Sequence, residues 1–169
     1  MPLNYQNILL WRHAIAEDLA DFDDLDSARP LSKKGLKQAD KMACWLTSNM
    51  PKDTLIISSN ALRAEQTAQA LGQEYIVLAS LAPGATLASA LQTICDLSKN
   101  NLHSENLLVV GHQPWLGLLA AQLLNLPNHL PENAKEISIK KGAVWWFKRS
   151  NSQENQPFKL FTVLAPSLL

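Results

Sequence analysis

Four side chains hold most of the chemistry this sequence can offer. Arg12 and His13 stand side by side after a short apolar run, Arg63 follows a second such run, and His112 sits in Gly111-His112-Gln113-Pro114. Arginine stays charged and its planar fork fits phosphate oxygens, while a neutral imidazole serves as nucleophile or proton carrier. Two guanidiniums and two imidazoles at one place would form a cationic donor field whose natural guest is a phosphoryl group. Taken singly, each has a plainer reading: Arg12 as an ion pair with an acidic loop, His13 as a hydrogen-bonded core histidine, Arg63 as a solvated helix residue, His112 as a loop histidine or helix cap. A zinc site is not indicated, because a third ligand at metal spacing is missing. No GxSxG, Walker loop or GxGxxG occurs.

The elements that must bring these groups together can be traced along the chain. Ile8-Leu9-Leu10-Trp11 is a short continuous apolar run, which predicts a strand buried on both faces and ending at Arg12-His13. Residues 14–32 are acidic and irregular, with Glu17, Asp18, Asp21, Asp23, Asp24 and Asp26, and close in Arg29-Pro30-Leu31-Ser32. Ser32 is a good N-cap for a helix with the stripe Leu36, Ala39, Ala43, Leu46 and Met50, stopped by Pro51. Thr54 to Ile57 predicts a second strand, Ser58-Ser59-Asn60 an N-cap, and Ala61 to Leu71 a helix stopped at Gly72. Tyr75 to Leu78 predicts a third strand, and Leu87, Leu91 and Ile94 lie on one face of the helix that follows.

Leu107 to Val110 predicts the clearest buried strand, stopping at Gly111-His112. Trp115 to Leu126 is apolar nearly all round, so that helix is expected to be buried. A Pro/Asn-rich loop is expected over 127–134, then late strands over Ala143–Lys148 and Phe158–Val163 joined by a polar loop over 150–157. Strands alternating with helices predict an α/β fold: a three-layer α/β/α sandwich with a mostly parallel central sheet. In such sheets ligands bind beyond the carboxyl ends of the strands, where Arg12-His13, Ser58-Ser59 and Gly111-His112 would meet.

Composition sets the outer bounds. With 169 residues, 47% of them hydrophobic and 18% charged, the chain is expected to be one globular domain, 1–169. Fifteen basic residues balance fifteen acidic ones, so the basic excess of a general nucleic-acid or membrane-surface binder is absent. The N-terminus lacks a basic segment and its apolar run is too short for a signal peptide or membrane span. Cys44 and Cys95 are too few and too far apart for a disulfide scaffold or zinc ribbon, and both read as small core hydrophobes. A reducing cytoplasm is the expected compartment.

The motifs, taken together and in this order, resemble a known family. Leu10-Trp11-Arg12-His13-Ala14 resembles the Arg-His-Gly signature of the histidine phosphatase superfamily. Arg29-Pro30-Leu31-Ser32 with Gly35 resembles the stretch that follows it, Ser58-Ser59-Asn60-Ala61-Leu62-Arg63-Ala64-Glu65-Gln66-Thr67-Ala68 resembles its second block, and Val109 to Pro114 its second-histidine motif. Together with the short length, these motifs resemble the SixA-type phosphohistidine phosphatases, from Ile8 to Leu164-Ala165-Pro166. The resemblance implies a phosphoglycerate mutase-like fold, with His13 as the phosphorylated nucleophile and Arg12, Arg63 and His112 as a clamp on the phosphoryl oxygens. It makes the Gln113 backbone N–H a further donor and gives Arg29 two candidate roles, reaching the phosphate or bracing the acidic loop. No metal and no cofactor are implied. The implied partner is a phosphohistidine-bearing protein, such as a phosphotransfer domain or a phosphotransferase-system protein, with no nucleic acid and no membrane.

Two departures bear on substrate. The signature's usual glycine is Ala14, a change of one methyl. Where mutase-like relatives place a glutamate acid, and SixA relatives commonly keep Glu-Leu-x-Pro, this chain has Ser80-Leu81-Ala82-Pro83. A sugar alkoxide leaves poorly without a proton donor, whereas imidazole is a far weaker base, with a reference pKa of about 6.5. The missing acid, and the little chain left for a lid, favour phosphohistidine on a protein; Glu17 is the alternative acid. Trp115 has two readings, lining the cleft or capping the core. The competing functions are a small-molecule phosphomonoesterase on the same fold and a catalytically idle phosphate-binding module.

Overall fold

The computed structural model describes residues 3–22, 25–99, 104–126, 137–149 and 157–169. Six strands form one sheet: β1 (Asn7–Arg12), β2 (Leu55–Ser59), β3 (Ile76–Leu78), β4 (Asn106–Gly111), β5 (Val144–Lys148) and β6 (Lys159–Leu164). Their order across the sheet is β3-β2-β4-β1-β5-β6. The first four in that order run parallel, and β5 and β6 are antiparallel additions beside β1. The helices among the described residues are α1 (Lys33–Asn49), α2 (Leu62–Gln69), α3 (Leu87–Lys99) and α4 (Trp115–Leu123).

Side chains alternate between the two faces of a strand, and each face here has its own core. Ile8, Leu10, Ile57, Leu107, Val109 and Phe147 pack with Ala90, Ile94 and Cys95 of α3 and with Trp115, Leu116, Leu119 and Ala120 of α4. The neighbours in sequence, Leu9, Trp11, Ile56, Leu108, Val110 and Trp146, pack with Met42, Ala43 and Leu46 of α1 and with Ala64 and Ala68 of α2. The result is the expected three-layer α/β/α sandwich with a mostly parallel sheet. β1 and β4 are buried on both faces, as their unbroken apolar runs required.

The boundaries fall close to expectation, with four differences. The buried stripe of α1 is Gly35, Ala39, Met42, Ala43 and Leu46, while Leu36 is 45% exposed. The stripe begins at Gly35 because the helix lies against the segment leaving β1: a Cβ on Gly35 would stand 1.8 Å from the Ile15 carbonyl oxygen. Cys44 is off that stripe and exposed, so only Cys95 is a core residue. No Ser58-Ser59-Asn60 side chain caps α2 in the usual way; its N-cap is Ala61, whose N–H bonds the Ser59 hydroxyl. α4 stops at Leu123, and Asn125 takes a left-handed φ of 53°. The loop expected over 127–134, and 150–156 of the polar loop, lie outside the described residues.

The register aligns the site. Arg12 pairs with Gly111 across β1 and β4, and Ser58 pairs with Val110 across β2 and β4. Arg12, Gly111 and Ser59 therefore end level at the carboxyl edge, with His13 and His112 one residue further on.

Candidate active site

The expected cluster forms at this edge. The rings of His13 and His112 lie 4.9 Å apart between centroids, tilted by 48°. His13 N–H donates to the Gly111 carbonyl at 3.1 Å, so the pairing of β1 with β4 extends into the site. On the other side Gly142 N–H bonds the carbonyls of both Arg12 and His13 at 3.1 Å, and Trp11 Nε1 donates to the Gly142 carbonyl at 3.0 Å. Thr67 of α2 closes the third side: its hydroxyl accepts from Ala14 N–H at 3.1 Å and donates to the Arg63 carbonyl at 2.7 Å. One threonine thus links the chain just after His13 to the residue that carries the second guanidinium.

The His13 ring has a defined chemistry. Its Nδ1–H donates to the Ala14 carbonyl at 2.7 Å, which leaves the Nε2 lone pair as the reactive atom. Burial pushes its pKa down to about 3, helped by the charges of Arg63, Arg12 and Lys141 and opposed by the Ala14 hydrogen bond. Burial likewise takes His112 down to about 3, with His13, Arg63 and Arg12 in the same direction and Asp26 against. Both rings are neutral at neutral pH, and both lie in the field of the same two arginines.

Each donor is partly committed and partly open. Arg12 Nη1 holds the Ile139 carbonyl at 2.7 Å, while its Nε is buried with no partner among the described residues. Arg63 gives Nη1 to the Asp26 carbonyl and Nη2 to the Asp26 carboxylate at 2.7 Å, and its buried Nε is also unpartnered. His112 Nε2 is 2.8 Å from Ser59 Oγ, and its Nδ1 is buried and unpartnered. A buried polar group without a partner costs free energy, and native structures hold few of them. Arg12 and Arg63 act on the His13 ring through their charge and His112 lies beside it, so the three unpartnered donors belong to residues grouped near the nucleophile and suit oxygen acceptors.

The remaining sequence candidates divide. Arg29 braces the acidic loop: its Nε and Nη2 bond Asp26 Oδ1 at 3.0 and 2.7 Å, and Nη1 bonds the Glu17 carbonyl at 2.9 Å. The Gln113 side chain serves the fold, with Nε2 on the Ile137 carbonyl and Oε1 accepting Gly117 N–H, both at 2.8 Å. Glu17 is half-buried in the braced loop, with its N–H on the Pro30 carbonyl. Ser80 Oγ accepts from Thr93 Oγ1 at 2.8 Å, tying it to α3. Trp115 is fully buried against Gly111, where a Cβ would come within 2.3 Å of its ring, so it caps the core.

Asp26 and Lys141 escaped the sequence reading as site residues, and Ser59, expected at this edge, has a partner there that the spacing did not give. Asp26 bridges Arg29 and Arg63; desolvation pushes its carboxyl up, but the hydrogen bonds from Arg63 and Arg29 outweigh that and leave it below its ordinary value. Ser59 touches His112. Lys141 enters on the turn before β5, and burial together with Arg12, Arg29 and Arg63 lowers its pKa. The lysine pair beside Gly142 was the available sign of this further cation. Among the described residues no three His, Cys, Asp or Glu side chains are grouped to hold a metal ion, and no helix is long and apolar enough to cross a membrane.

Residues 8–82 match the model of the histidine phosphatase superfamily, branch 1. The Mycobacterium tuberculosis protein Rv1276c is 30% identical over 130 residues, 76% of this chain and 77% of that protein. Phosphohistidine phosphatase SixA of Escherichia coli is 31% identical over 104 residues, 58% of this chain and 63% of its own. The structure of the protein histidine phosphatase SixA with tungstate superposes with a TM-score of 0.73 at 24% identity, covering 96% of this chain and 98% of that one. A mycobacterial glucosyl-3-phosphoglycerate phosphatase bound to VO3 shares the fold, with a TM-score of 0.68 at 17% identity and coverage of 93% and 98%.

Proposed function

This chain belongs to the histidine phosphatase superfamily, and from that premise we propose that it hydrolyses phosphohistidine on a protein partner through a phosphorylated His13, without a metal or cofactor. The observation that carries the reading is the set of open donors, Arg12 Nε, Arg63 Nε and His112 Nδ1, buried around a neutral His13. Nε2 of His13 attacks phosphorus as the P–N bond breaks; the bonding pair returns to the substrate ring nitrogen, and because the other nitrogen of that ring carries a proton the group leaves as neutral imidazole. Water then attacks the phosphorus of phospho-His13; the P–Nε2 pair returns to the ring, which keeps its Nδ1 proton on the Ala14 carbonyl, and the proton lost by water leaves with the phosphate. The transferring group carries its charge on the phosphoryl oxygens, where preorganised donors are most effective. The Gln113 backbone N–H adds a donor at the start of α4, and Arg29 acts through the loop it braces.

The substrate class follows from the missing acid. By the sequence resemblance, Ser80 stands where mutase-like relatives have a glutamate, and its hydroxyl is bonded to Thr93. An imidazole leaving group tolerates that loss better than an alkoxide does. A phosphotransfer domain or phosphotransferase-system protein in the cytoplasm fits these requirements. The likeness to a glucosyl-3-phosphoglycerate phosphatase supports one competing reading, hydrolysis of small phosphate esters. The deciding experiment compares phosphate release from a phosphorylated phosphotransfer domain with release from sugar phosphates. Faster turnover of the protein substrate is expected; faster turnover of sugar phosphates would favour the competing reading, and no turnover of either would leave a phosphate-binding module.

A further inference from the structure

We propose that Ser59 is a positioning residue that holds His112 with its single ring proton on Nδ1, so that this N–H faces the phosphoryl group. The inference rests on the reading of the site as a phosphoryl-transfer centre. Ser59 ends β2 and is fully buried, with its hydroxyl engaged by Ala61 and His112. Its hydroxyl oxygen accepts the Ala61 N–H at 3.2 Å and stands 2.8 Å from His112 Nε2. A hydroxyl has one hydrogen to give, and among the described residues His112 Nε2 is the acceptor it meets.

If Ser59 donates, Nε2 carries a lone pair. A neutral imidazole then has its proton on Nδ1, and burial keeps His112 neutral. That N–H is the buried unpartnered atom already noted. The opposite tautomer fails on two counts. It would strand the Ser59 hydrogen inside the core, and it would present a lone pair where an incoming anion needs a donor. The arrangement is built into the sheet: Ser58 pairs with Val110, which brings the ends of β2 and β4 together and places Ser59 beside His112.

The test is the 15N signature of the His112 ring in protein labelled at histidine, recorded at pH 7 without substrate. The wild type should show a protonated Nδ1 and an unprotonated Nε2. Ser59→Thr should preserve that pattern, and Ser59→Ala should move proton density to Nε2. With an aryl phosphate as substrate, kcat should fall about tenfold in Ser59→Ala with KM little changed, less than the 10²–10³ typical of losing a donor outright. A wild-type His112 protonated on Nε2 would overturn the inference, and that spectrum needs no variant to fold. So would a Ser59→Ala protein that keeps its proton on Nδ1, or one altered in KM alone. Because the tautomer is read without turnover, its outcome is separate from whether His13 becomes phosphorylated.

Discussion

The carboxylate of Asp26 is shared between two arginines: Oδ1 takes Arg29 and Oδ2 takes Arg63, each at 2.7 Å from Nη2. A loop anion therefore holds both Nη atoms of the Arg63 guanidinium, while its buried Nε has no partner among the described residues. The acidic loop, which composition alone presents as a solvated stretch, is part of the site's frame. Asp26→Ala should slow turnover by up to about 10²-fold, the scale of a misplaced catalytic group. The check is kcat for an aryl phosphate, with circular dichroism to show an intact fold; an unchanged kcat would reduce Asp26 to a surface ion pair.

Arg63→Ala should act on rate. A donor that meets charge as it develops lowers kcat, whereas a uniform binding contact changes KM alone. Loss of about 10²–10³ in kcat is expected. Steady-state kinetics decide it, and a variant with raised KM and unchanged kcat would make Arg63 a binding residue only.

Proton linkage gives a pH signature. His13 and His112 have folded pKa values near 3 against an unfolded value of 6.5, so below 6.5 the unfolded chain binds more protons than the folded one. Stability is therefore complete above pH 6.5 and falls as pH drops from there toward 3. The lowered pKa of Asp26 has the same sign, with its contribution lost at the acid end of the carboxylate range. Denaturant unfolding from pH 8 to pH 4 should show this decline. NMR titration should find both rings neutral at pH 5, and a midpoint near 6.5 for either would contradict the buried, neutral pair.

Much of this was legible in the sequence, for physical reasons. A strand buried on both faces must be an unbroken apolar run, so β1, β2 and β4 announced themselves, and the polar groups at their ends marked one edge of the sheet. Leu36 misled because three-and-four spacing does not say which adjacent row faces the core; the contact of Gly35 with Ile15 decides that. Trp115 could not be assigned until its ring was seen against Gly111. The links Asp26–Arg63 and Ser59–His112 span 37 and 53 residues. Such pairs depend on the path of a loop and on the order of strands, neither of which is written in local spacing.

Substrate choice should follow leaving-group basicity. With Ser80 in place of an acid, kcat/KM should fall steeply as leaving-group pKa rises. Phosphohistidine should react well, aryl phosphates more slowly and sugar phosphates barely. Ser80→Glu should improve alkyl phosphates more than phosphohistidine, at the loss of the Thr93 hydrogen bond. A flat series for the wild type would mean that another acid works in the site, with Glu17 the first to test.

The central claim is that His13 carries the phosphoryl group. The most direct measurement is to mix the protein with a 32P-labelled phosphohistidine phosphotransfer domain, quench in alkali within one turnover, and map the label. The account predicts an alkali-stable, acid-labile phosphate on His13, absent from a folded His13→Ala variant that also releases no phosphate. Label on His112, or phosphate release undiminished in His13→Ala, would contradict it.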